Sequence, residues 1–113
     1  MSSSSQKKEF LVIIPDKPGV GAKRIEVRPT HKSGLKPLVE SGSIVAGGAM
    51  FQDQHPAEGQ TPNFKGSMII VMANTAAEAK EILSKDVYVT EGVWDFDAAQ
   101  IIPFQSAVRM PLA

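Results

Sequence analysis

The sequence has no cysteine, which excludes disulfides, zinc–thiolate sites and thiol nucleophiles. It has no excess charge either: twelve Lys and Arg balance twelve Asp and Glu. A nucleic-acid or anionic-membrane partner usually leaves a basic excess or stripe, so neither is expected. Zero net charge also leaves nothing long-ranged to keep two copies apart. No apolar run is long enough to span a bilayer, since the longest, residues 10–15 and 68–73, are strand-sized. Residues 1–8 lack the apolar core of a secretory signal and read as a disordered, Ser-rich polar tail. A soluble, cytoplasmic protein is the default expectation. No phosphate loop, dinucleotide fingerprint or hydrolase nucleophile elbow is present, and no cofactor is implied.

What is present suits one small domain. The chain has 113 residues, 42% hydrophobic and 21% charged, an ordinary composition for a single globular core. Residues 9–15 form a nearly continuous apolar run ended by proline, the pattern of a central strand. Asp16-Lys-Pro-Gly19 is turn chemistry. From 22 to 41 the pattern is helical: Val27, His31, Leu35 and Leu38 share a stripe that Val39 widens. Pro29 suits a first turn, whereas Pro37 should kink the axis. Gly42 is a natural stop.

Residues 43–51 read as a second strand, with Gly47-Gly48 marking a bulge or the close approach of a ligand or backbone. The polar stretch 52–65 exceeds the usual connection and is either a functional loop or disordered. Residues 66–73 form a third, buried strand. Thr75-Ala-Ala-Glu78 is a capping box opening a helix whose inward face is Ala79, Ile82 and Leu83. The segment 86–92 reads only as a turn. Residues 93–104 are expected to form the last strand, Trp94, Phe96 and Ala98 on one face and Asp95, Asp97 and Ala99 on the other. The tail 105–113 carries no strong signal.

The order is β-α-β-β-α-β. It predicts an α+β, ferredoxin-like sandwich over 9–104, a four-stranded antiparallel sheet with both helices on one face. The first and third strands are apolar at nearly every position, so the uncovered face also demands burial. A homodimer packed sheet to sheet meets that demand.

Several short pieces, in their order and spacing, resemble the YCII-related family, and through it the dimeric α/β-barrel group. They are Arg28-Pro-Thr-His31 with Leu35 and Leu38; Glu40-Ser-Gly42; Ala46-Gly-Gly48; Gly66-Ser67; Ala76-Ala-Glu-Ala79; and Asp86-Val-Tyr-Val89 with Gly92. The resemblance implies an active-site pair of His31 and Asp86, with Val87 standing where the family commonly has proline. Proteins of similar fold include lactone isomerases, dehalogenating lyases and cofactor-free oxygenases, so fold alone selects no reaction.

Each candidate residue also has an ordinary structural reading. His31 faces the sheet, and imidazole as a side-chain type suits proton transfer near neutral pH; the alternative is a buried histidine satisfied by a backbone carbonyl. Asp86 would fix the imidazole tautomer, or simply cap a turn. Arg28, one helical turn before His31, would bind a carboxylate or enolate, hold Asp86, or be solvated. Gly48 and Ser67 match family positions where backbone N–H groups face a ligand. Trp94 and Tyr88 would form an aromatic wall. Met50, Met68 and Met72 are core or pocket lining. His55 and Asp53 lack a third ligand, so no metal site is expected. Two functions follow: a cofactor-independent acid–base enzyme acting on a small carbonyl, lactone or aromatic metabolite, with Arg28, Gly48, Ser67 and Trp94 binding it, or a non-catalytic small-molecule-binding dimer.

Overall fold

The computed structural model describes residues 7–110; the expected tails 1–8 and 105–113 lie partly outside them, at 1–6 and 111–113. Strand β1 (Lys8–Pro15) leads into helix α1 (Gly21–Glu40), then β2 (Ile44–Phe51), β3 (Phe64–Ala73), helix α2 (Ala76–Leu83), a one-turn helix α3 (Val87–Thr90) and β4 (Gln100–Phe104). All pairings are antiparallel, in the order β2-β3-β1-β4. This is the ferredoxin-like arrangement.

Alternation along the central strands decides where the core lies. Phe10, Val12 and Ile14 of β1 and Ile69, Val71 and Ala73 of β3 are buried beneath the helices. From α2, Ala79 and Leu83 join this core. The capping box that opens α2 forms in part: Thr75 Oγ1 accepts from the Glu78 N–H at 3.1 Å. Glu78 itself reaches one residue further back than expected, to the Asn74 N–H at 3.1 Å. At Gly66 even a Cβ would overlap the Ile14 carbonyl oxygen, so glycine is what lets β3 close on the end of β1.

Four expectations fail locally. Pro29 lies well inside α1 rather than in its first turn, and Pro37 lies inside the helix as expected. They sit on its exposed side, as do Ile25 and Ser33, whose carbonyls lose their partners, so solvent replaces the missing bonds. Gly47-Gly48 is not a bulge: both residues pair in register with Ile69 and Met68, and the irregularities fall at Ile44/Ala46 and Met50/Phe51. The last strand starts at Gln100, not 93, because Trp94 makes only a bridge to Asp16 and Phe96–Ala98 form a 3₁₀ turn. Asp95 and Asp97 therefore share no strand face. Val39 is 55% exposed, so the α1 stripe ends before it.

The opposite face of the sheet carries Leu11 and Ile13 of β1, Met68, Ile70 and Met72 of β3, and Ile102 and Phe104 of β4. These residues stay outside the helix-covered core, so Met68 and Met72 line neither that core nor the two cavities beside His31. No helix among the described residues is long and apolar enough to cross a membrane.

The C-terminal segment, silent in the sequence, is tied to β1. Ser106 donates to Glu9 through its hydroxyl and its backbone N–H, the latter at 2.7 Å, and Arg109 Nη1 donates at 3.0 Å. The Ser106 bonds, with Arg109 assisting, hold the Glu9 carboxyl below its ordinary value of 4.5. A depressed acid favours the docked state above its undocked pKa, and that preference is lost as pH falls through the docked value. Hydrogen exchange at the Ser106 amide, corrected for intrinsic rate, should accelerate on acidification below 4.5 and be indifferent to pH in Glu9→Gln. Equal protection at neutral and acid pH would contradict the assignment.

Candidate active site

Asp86 precedes the short helix α3 and caps it: its Oδ1 accepts the Tyr88 N–H at 2.8 Å. The same oxygen lies 2.7 Å from His31 Nδ1. One oxygen thus makes both the turn-capping contact and the contact to His31. The side chains are 6% and 14% exposed respectively. Oδ1 accepts from the Tyr88 N–H, and where Nδ1–H donates to the same oxygen the other ring nitrogen, Nε2, keeps the lone pair. Tyr88 stacks on the imidazole, centroids 3.9 Å apart and planes 7° from parallel, and Trp94 meets it edge-on at 5.8 Å. The ring is fixed by a bond in its plane and by aromatic contacts about it.

Val87 is the first residue of α3, where a helix leaves N–H groups without an intrahelical partner and proline is favoured. Valine there keeps the turn intact.

His31 stands between two hollows. The larger, about 650 Å³, opens between α1 and the β2–β3 side of the sheet. Its lining includes His31, Arg28, Gly48, Ser67 and Trp94, as well as Tyr88. Asp86 borders only the smaller cleft of about 330 Å³ behind the ring, which His31 also borders. The structure thus brings His31, Arg28, Gly48, Ser67 and Trp94 to one cavity and sets Asp86 behind the imidazole. Arg28 makes no ion pair with Asp86 among the salt bridges of the described residues. Ser67 lies between two ladder partners, Ile14 and Ala49, so its backbone groups run along the sheet, and the residue borders the cavity. Glycines at 47 and 48 leave that stretch of the wall as bare backbone.

The sequence reading missed Arg24. It is the buried charge of α1, 5% exposed, against Asp16 at 6%. Nη1 donates to Asp16 Oδ1 at 2.6 Å and Nη2 to Ser67 Oγ at 2.8 Å. The guanidinium lies 4.6 Å from the Phe64 ring centroid and 4.9 Å from that of Tyr88. Burial pushes the Asp16 carboxyl above its ordinary value while Arg24 opposes the shift. Burial likewise raises the Tyr88 phenol, against the pull of Arg24 and Arg28, so Tyr88 stays protonated at neutral pH. A signal for Arg24 existed: it continues the 27-31-35-38 stripe one step toward the N-terminus.

Arg24, Arg28 and Lys32 line the larger cavity and no Asp or Glu does. In a chain of zero net charge, the charged side chains on this wall are cations, Arg24 paired with Asp16, with Arg28 and Lys32 beside it, and apart from Ser67 and His31 the remainder is apolar or aromatic. No cluster of three or more metal-binding side chains occurs among the described residues. His55 lies against Phe51, centroids 5.8 Å apart.

Residues 9–105 match the YCII-related domain family. The chain is 43% identical over 103 residues to fusaric acid biosynthesis protein 2 of Gibberella moniliformis, covering 91% of this chain and 98% of that one. Its counterpart in Gibberella fujikuroi is 42% identical at the same coverage. Among solved structures the chain resembles 5-chloro-2-hydroxyhydroquinone dehydrochlorinase from Burkholderia phenoliruptrix, in complex with 2,5-dihydroxybenzoquinone. That match has a TM-score of 0.70 at 23% identity and covers 86% of this chain and 93% of the other; it supports the ferredoxin-like fold.

The position of Val87 yields a stability test. Val87→Pro puts proline at the first residue of α3, after an Asp86 that is already extended, and should stabilise by about 0.4–1 kcal/mol through the unfolded state. Chemical denaturation measures this; a loss above 1 kcal/mol would mean that α3 does not start at residue 87.

Proposed function

Since the chain belongs to the YCII-related domain family, we propose that it is a cofactor-independent acid–base enzyme acting on a small, flat, oxygen-rich metabolite of the carbonyl, lactone or aromatic type. The observation that carries this reading is the state of His31. Asp86 occupies Nδ1, while Nε2 makes no protein hydrogen bond among the described residues, and the ring lines a cavity whose ionised side chains are all cationic.

The chemistry follows from that arrangement. Nε2 removes a proton from a carbon or oxygen made acidic by a neighbouring carbonyl. Asp86 stabilises the imidazolium that forms, and Arg28 faces the negative charge that develops on the substrate oxygen. Returning the proton to a different atom completes an isomerisation; expelling a leaving group from the adjacent carbon completes an elimination. Gly48 leaves room beside β2, and the buried rings of Trp94 and Tyr88 back the wall that a flat substrate would meet. A substituted quinone in the structural neighbour and the biosynthetic naming of the sequence relatives support a small ring compound as the ligand. The dimer belongs to the same proposal: a second copy would cover Leu11, Ile13, Met68 and Met72 on the sheet face that no helix shields.

The test is a panel of hydroxyquinones, unsaturated lactones and small keto acids, followed by NMR for turnover or for exchange of substrate protons with deuterated solvent. The wild type should act on at least one member. His31→Asn should reduce the rate by about 10²–10⁴-fold and leave ligand affinity within a few-fold. Asp86→Asn keeps a good N-cap while removing the charge, so a fold-preserving loss of about 10²-fold or more is expected. Unchanged turnover in His31→Asn would overturn the proposal. Binding without any proton exchange by the wild type would assign the non-catalytic role.

A further inference from the structure

Ser67 is 4% exposed, and its Oγ accepts two hydrogen bonds, from Arg24 Nη2 at 2.8 Å and from Trp94 Nε1 at 3.1 Å. Neither partner can take a proton in return, because guanidinium and indole N–H groups are donors only. A hydroxyl has two lone pairs and one hydrogen. Both lone pairs are committed, so the hydrogen must go elsewhere. Among the described residues no acceptor receives it: the Ser67 hydroxyl donates to no protein atom, and Asp16 Oδ2, a buried oxygen with no partner, is not bonded to it. Ser67 borders the large cavity.

We infer that Ser67 is a donor-only hydroxyl aimed into the cavity, held in that state by Arg24 and Trp94, and that it binds an acceptor oxygen of the ligand: a carbonyl, enolate or phenolate. The inference rests on the proposed function for its ligand class, but the direction of the hydroxyl does not depend on that class. Ser67 is the contact residue. Trp94 acts through it as a positioning residue, since its indole N–H fills one lone pair while its ring edge meets His31. Ser67 and His31 thereby border one cavity, with Trp94 touching both. The Arg24 guanidinium behind Ser67 polarises the O–H in the direction that favours a negatively charged acceptor. Such a donor discriminates: a ring lacking an oxygen at that position leaves a buried hydroxyl unpaired.

Two measurements decide the matter. Neutron diffraction of the deuterated protein should place the Ser67 deuteron toward the cavity; a deuteron directed at Asp16 Oδ2 or at a backbone carbonyl overturns the inference. With 2,5-dihydroxybenzoquinone as a coloured probe, Ser67→Ala should weaken binding about 10–100-fold and Ser67→Thr should restore it to within about threefold. Trp94→Phe, which keeps a ring but loses the N–H, should weaken binding in the wild-type background and have little further effect in Ser67→Ala. Equal affinity of Ser67→Ala and wild type overturns the inference while leaving the role of His31 intact. Failure of the wild type to bind the probe, with the deuteron in the cavity, supports the donor and overturns the proposed ligand class.

Discussion

A guanidinium kept out of water is the constraint around which this small domain is arranged. Arg24 joins four parts of the chain: its own helix α1, the end of β1 through Asp16, β3 through Ser67, and α3, whose Tyr88 hydroxyl donates to the Arg24 carbonyl at 3.5 Å. Burying a charge is costly unless every donor is answered and an opposite charge stands close. Here Asp16 supplies the charge, and the rings of Phe64 and Tyr88 contact the guanidinium. Breaking such a pair by removing one partner typically costs about 3–5 kcal/mol, a large share of the marginal stability of a domain this size. The arrangement also fixes Ser67 and Trp94 on one wall of the cavity.

The second organising feature is an economy of atoms at Asp86. One carboxylate oxygen caps α3 and holds His31, so the local rule that starts a helix also orients the imidazole. Because α3 follows α2 almost without a break, the aspartate is carried on backbone rather than on a mobile loop. The cap therefore couples the start of α3 to the imidazole: a change that loosens the one displaces the other.

The element order and the strand pairing were legible because hydrophobic periodicity is strong in residues 9–15 and 66–73, and because turn and capping residues punctuate the rest. The features that escaped depend on contacts distant in sequence. Arg24 continues the α1 stripe, but a charged residue there reads as its solvated end until Asp16 and Ser67 are known to surround it. Trp94 alternates with its neighbours as in a strand, yet its indole is drawn inward to Ser67, and the chain between it and Gln100 turns instead of pairing. The glycines at 47 and 48 suggested irregularity, whereas their place is a regular strand beside an open cavity. His31 and Asp86 were singled out through a family resemblance; their separation of 55 residues has no local signal, and only the fold brings them to 2.7 Å.

The tautomer of His31 is the point at which the account is most exposed. Long-range ¹H–¹⁵N correlation spectra of the imidazoles at a pH where the ring is neutral resolve it directly. A proton on Nδ1 and a free lone pair on Nε2 are the predicted result, with that pattern disturbed in Asp86→Asn. A neutral ring protonated at Nε2 would contradict the account, since the nitrogen facing the cavity would then be a donor and could not accept a proton from the substrate.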